Sequence, residues 1–249
     1  MSRQLLQLLR DNATRNEGVP SITADMSATE AHIYVYDVID QWFGASAEAL
    51  IGALNAAGDR AVHLHINSPG GDVFEARAMS AAIVACKGHV CAHVDGVAAS
   101  AATQLVLAAD EARMIEGSLF MIHNAWTLAF GDKADLRSTA DLLEKIDGQI
   151  AADYASATGQ TVEQIAALMQ AETWFTPEEA LAAGFIDGMD PNTKKKCAAN
   201  DPAAASRWNL SAYAHAPKVQ APEPEPDLAA LARQQIQINR NRLRMIAPI

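Results

Sequence analysis

VHLHINSPGGDVFEARAMSAAIVAC (62–86) holds a strand, a turn built on two glycines and a helix in one unbroken run. Val62, Leu64 and Ile66 alternate with His63 and His65, the period of a half-buried strand. After Ser68-Pro69, the paired Gly70 and Gly71 permit positive φ and close approach of another backbone, and Val73 to Cys86 reads as a helix. A strand feeding a helix through a tight turn is the building unit of a layered α/β protein.

The same alternation continues on both sides. Ala31 to Val38 reads as a strand, and Ser46 to Ala57 as a helix with Leu50, Ile51 and Leu54 on one face. His89 to Val94 is a third strand, Ser100 to Ala109 a helix of small and apolar residues, and Ala112–Ile115 and Leu119–His123 short strands. A long helix covers Asp132 to Ala157. Thr161-Val162-Glu163-Gln164 fits a capping box, and Thr176-Pro177-Glu178-Glu179 combines an N-cap, a proline at the first helical position and an acidic first turn. The expected class is α/β with a largely parallel sheet, and no internal repeat is visible.

Composition divides the chain. Residues 1–29 are polar apart from Leu5-Leu6 and Leu8-Leu9, which suit a short amphipathic helix, and residues 30–190 carry the α/β text. Residues 191–227, with Lys194-Lys195-Lys196, alanine-rich text and PEPEP, bury too little apolar surface to offset their ordering entropy and read as a linker, largely disordered. Residues 228–249 are helix-forming and basic, with Arg233, Arg240, Arg242 and Arg244, and suit either a docking helix or a solvated tail. A formal net charge of −11 argues against non-specific nucleic-acid binding by the whole chain. No run reaches the ~18 apolar residues of a membrane span, and no signal peptide is legible. The three cysteines lack metal-type spacing and read as reduced thiols in a cytosolic compartment.

Three segments could carry chemistry. The Gly70-Gly71 turn leaves N–H groups at the start of a helix, suited to a developing negative charge; it also reads simply as a tight turn. Asp95-Gly96-Val97-Ala98-Ala99-Ser100-Ala101-Ala102 sets a serine at the mouth of a helix among residues with almost no side chain. A nucleophile needs that room and a nearby N–H donor, which Ala101 could supply, although a serine there is more often only an N-cap. His123 ends a buried strand and precedes a loop, where an α/β site places a titratable imidazole. His63-x-His65 hints at metal, but with no Cys, Asp or Glu cluster nearby in sequence it reads as a polar strand face. No metal and no cofactor is expected.

Taken in order, INSPGG (66–71), GVAASAA (96–102), MIHNAW (121–126), TGQTVEQI (158–165) and ETWFTPEEALAAGFID (172–187) resemble the ClpP family of self-compartmentalising serine proteases. The resemblance implies the ClpP/crotonase-like fold of repeated β-β-α units, with Ser100 as nucleophile, His123 as general base, and the N–H groups of Gly71 and Ala101 as the oxyanion hole. The family's third triad member is usually an aspartate. Glu172 stands there, one methylene longer, with Asp135, Asp141 and Asp147 as rivals. The resemblance further implies polypeptide substrates and a homo-oligomeric ring, a heptamer or tetradecamer, joined through the helix from Asp132 to Ala157.

The opening of the domain and the extension after Asp190 resemble phage-encoded ClpP-like head maturation (prohead) proteases more than housekeeping ClpP. That implies capsid or scaffold substrates in a bacterial cytoplasm or procapsid. The alternatives are a peptidase partnered by an ATP-dependent unfoldase, a crotonase-like acyl-CoA enzyme, and a shell or scaffold component with a degenerate site.

Overall fold

The computed structural model describes Asn12, residues 21–191 and residues 208–217. The N-terminal helix expected over the leucine pairs, and the tail from 228, lie outside the described residues.

The described strands form one eight-stranded sheet. They are β1 (Ile22–Met26), β2 (Glu30–Val35), β3 (Ala61–Ser68), β4 (Val90–Ala99), β5 (Glu111–Ile115), β6 (Leu119–Ile122), β7 (Thr173–Phe175) and β8 (Gly188–Asp190). The main order is β1-β2-β3-β4-β5-β8, with β6 on β4 and β7 on β6. Only β1 on β2 and β7 on β6 are antiparallel, so the sheet is largely parallel, as expected. The helices are α1 (Ala47–Ala57), α2 (Val73–Val84), α3 (Ala102–Leu107), α4 (Lys133–Thr158), α5 (Val162–Gln170) and α6 (Pro177–Ala182).

β4 serves two neighbours in succession. Its Cys91–Val94 stretch pairs with β5, and Val97–Ala99 pairs with β6. Together with a register shift in β3 between Ile66 and Ser68, this brings the carboxyl ends of β3, β4 and β6 to one edge. Such an edge is where parallel α/β sheets bind ligands.

Period-two alternation decides the two faces. Ala31, Ile33 and Val35, Val62, Leu64 and Ile66, and Val90, Ala92 and Val94 are buried in the main core, where Leu50, Met79 and Leu105 of α1, α2 and α3 meet them. The other face carries Glu30, His32 and Tyr34, His63 and His65, then Cys91, His93 and Asp95 in register across three strands. Strand pairing brings to His63-x-His65 the neighbours it lacked in sequence: one ring nitrogen of His32 and of His63 and a Glu30 oxygen lie within 4.8 Å of one another, as do atoms of His63, Cys91 and His93.

Both anticipated caps form: Thr161 with Gln164, and Thr176 with Glu179 behind Pro177, are capping boxes. Residues 208–217 depart from the linker expected over 191–227. Trp208 and Tyr213 are buried against Val38, Val97, Ala99 and Met121 in a second apolar cluster. Two large aromatics bring enough apolar area to order a segment whose composition alone reads as linker.

Candidate active site

Ser100 follows directly on β4, and its amide donates to the Met121 carbonyl of β6 at 2.9 Å. Its φ is +55°, a strained conformation for a residue with a side chain. Ala101, not Ser100, occupies the N-cap of α3, without a side-chain cap bond, so the N-cap alternative for Ser100 does not describe the molecule. Oγ instead lies 2.7 Å from Nε2 of His123, the first residue beyond β6.

The glycine turn closes the opposite side. Gly71 has φ +152° and is bridged to Ile39, where a Cβ would lie 2.0 Å from the Ile39 carbonyl oxygen. At Gly70 (φ +90°) a Cβ would come within 2.9 Å of the Ser100 Cβ. Neither position accepts a side chain, so the turn lies directly against the serine. Among the described residues, neither the Gly71 N–H nor the Ala101 N–H is taken by another acceptor.

Ser100, His123, Gly70 and Gly71 line a cleft of about 270 Å³, with Trp126 and Tyr213 completing its wall. Burial pushes the His123 pKa down from 6.5 to about 4, and the nearby Glu172 carboxylate opposes the shift. The imidazole is thus held neutral, the form that accepts a proton.

Glu172 has the other positive φ among the described non-glycine residues, +50°, and sits between α5 and β7. It makes no hydrogen bond to His123. Its carboxylate accepts from the amides of His215 (2.6 Å) and Ala214 (2.8 Å), and from Trp174 Nε1 (3.3 Å). The three rival aspartates are engaged or distant: Asp135 closes the capping box of α4, Asp141 is exposed on that helix, and Asp147 accepts from the Ala125 amide at 2.6 Å.

Tyr213 belongs to this site although no sequence motif marks it. Its ring stands edge-on to His123 at 5.3 Å, and its hydroxyl donates to the Pro69 carbonyl at 2.5 Å while also interacting with Ser100. Trp208 Nε1 donates to Asn67 Oδ1 (3.0 Å), pinning the same segment to the end of β3. The signal available in sequence was two aromatics within alanine-rich text, in a chain with only 6% aromatic residues.

A model of the Clp protease family matches residues 16–192. The chain is 28% identical over 164 residues to the ATP-dependent Clp protease proteolytic subunit 3 of Streptomyces avermitilis, covering 65% of this chain and 75% of that protein. It is also 28% identical over 166 residues to the proteolytic subunit 2 of Tropheryma whipplei, covering 66% of this chain and 92% of that protein. In fold it is similar to a ClpP1 mutant from Listeria monocytogenes, with a TM-score of 0.58 and 24% identity over 65% of this chain and 92% of that one. A family match over well more than half of the sequence, on a sheet whose carboxyl edge gathers Ser100, His123 and the glycine turn, establishes that this chain belongs to the Clp protease family.

Proposed function

We propose that the chain is a ClpP-type serine endopeptidase, and the observation that carries this is the 2.7 Å contact between Ser100 Oγ and a neutral, enclosed His123. In this reading Ser100 Oγ attacks the scissile carbonyl carbon while His123 Nε2 takes its proton. The N–H groups of Gly71 and Ala101 stabilise the oxyanion. His123 returns the proton to the leaving amine, and water then releases the acyl group from Ser100.

Glu172 is the third member of the triad in this proposal, and the described conformation is a covered form of the site. The amides of Ala214 and His215 hold the carboxylate while Tyr213 stands beside the serine. When the segment lifts, Glu172 is free to turn to His123, where it would orient the ring and stabilise the imidazolium.

Two settings follow for the peptidase. The relatives named as proteolytic subunits of ATP-dependent proteases support a ring-shaped chamber supplied by an unfoldase. Residues 208–217, outside the family match yet packed against the site, support a self-contained maturation protease acting on capsid or scaffold proteins. The purified protein is expected to cleave an unfolded protein such as casein without nucleotide, and Ser100→Ala to abolish this. Degradation of a folded substrate only with an added Clp ATPase and ATP would select the first setting; cleavage of a co-expressed capsid or scaffold protein without one would select the second. Turnover of an acyl-CoA without peptide cleavage would refute the peptidase reading.

A further inference from the structure

The sheet face opposite the main core carries four imidazoles in two hydrogen-bonded rows. In one, His65 Nδ1 meets Asp95 Oδ2 at 2.8 Å and His65 Nε2 meets His32 Nδ1 at 3.2 Å. In the other, His93 Nδ1 meets Asp190 Oδ2 at 2.7 Å and His93 Nε2 meets His63 Nδ1 at 3.0 Å. Burial works against the Asp190 charge, but hydrogen bonds from Arg113 and His93 hold it below the ordinary carboxylate range. A carboxylate only accepts, so with the four imidazoles neutral each row has one direction. His65 and His93 carry their protons on Nδ1, leaving Nε2 to accept, and His32 and His63 therefore donate from Nδ1.

Both rows end in the same way, on two rings that stack. Nε2 of His32 and Nε2 of His63 are lone-pair nitrogens with no donor among the described residues. Their rings stack at 4.8 Å, and a Glu30 oxygen lies within 4.8 Å of a nitrogen of each. Two neutral imidazole nitrogens and a carboxylate are the donor set of open divalent sites, and a ligand histidine whose other nitrogen is hydrogen-bonded is the usual arrangement around such ions. The neighbouring set His63, Cys91 and His93 is a poorer candidate. Both ring nitrogens of His93 are already engaged, Nε2 with His63 and Nδ1 with Asp190, so His93 has none left for an ion.

We infer that His32, His63 and Glu30 form a binding site for a divalent transition-metal ion of the zinc class, clasping β2 to β3 on the sheet face opposite the main core.

The test is titration of the full chain with Zn²⁺ in a non-coordinating buffer, followed by calorimetry and by thermal melting. One saturable ion per chain is expected, with a melting temperature that rises with free Zn²⁺. His32→Ala and His63→Ala should each weaken binding by about tenfold or more. Glu30→Gln should weaken it as well, with its exposed side chain leaving the fold intact. Cys91→Ser should leave binding unchanged, and Co²⁺ loading should give no thiolate charge-transfer band. Absence of saturable binding by the unaltered protein overturns the proposal. So does binding that is lost in Cys91→Ser but kept in His32→Ala and Glu30→Gln. Neither readout depends on peptidase activity.

Discussion

Ser100 and Glu172 are the two non-glycine residues with positive φ among those described, and both are site residues. Strain of this kind costs roughly 1–3 kcal/mol per residue and persists only where the surroundings impose it. At Ser100 the imposition comes from the Met121 carbonyl and the glycine turn; at Glu172 it comes from the passage between α5 and β7. Ser100→Ala is expected to lower kcat by about 10⁴-fold or more while leaving the melting curve close to that of the parent. The pH dependence follows from His123. The unfolded imidazole titrates near 6.5 and the folded one near 4, so stability is full above 6.5 and declines as pH falls towards 4. Activity needs the neutral ring, so the acid limb of kcat/KM is expected well below 6.5. Glu172→Gln removes the charge that opposes the shift and should move that limb lower still, with a fall in kcat. An unchanged limb would show that Glu172 does not act on His123.

At the scale of elements, the glycine turn and the segment 208–217 control access to the serine. Gly71→Ala would drive a methyl group into the Ile39 carbonyl, so loss of activity together with a melting temperature lower by several degrees is expected. Tyr213→Ala should uncover the imidazole and raise the acid limb of the pH profile towards 6.5. It should also quicken cleavage of small peptides by several-fold, because the segment that brings the Ala214 and His215 amides to Glu172 loses its anchor on Pro69; slower cleavage with an unmoved limb would make Tyr213 a support of the active form. The elements that were legible in sequence are those with local signals. β3 and α2 announce themselves by alternation around the two glycines, and α5 and α6 by their capping boxes. β7 and β8, three residues each, were not legible because they exist only through pairing with β6 and β5. The proximity of Ser100 to His123 was legible through ordered motifs, whereas the partners of Glu172 were not. Its two backbone donors lie 42 and 43 residues away in a stretch whose composition argues for disorder.

For the whole molecule, α4 is the part that one chain leaves unfinished. Of its 26 residues only Ile150, Ala151 and Tyr154 are buried, and Leu136 and Leu142 stand exposed on its first half. A helix polar and apolar by turns yet barely packed is suited to a second copy of the chain. Light scattering after size exclusion is expected to show a homo-oligomer, and Leu136→Glu with Leu142→Glu to shift it to smaller species; a parent protein that elutes as a monomer would remove the ring from the account.

Whether Ser100 is a nucleophile activated by His123 is decided by a fluorophosphonate probe and mass mapping of the adduct. One adduct is expected, on Ser100, lost in Ser100→Ala and strongly slowed in His123→Ala. Labelling at another serine, or labelling of Ser100 that is indifferent to His123→Ala, would contradict that role.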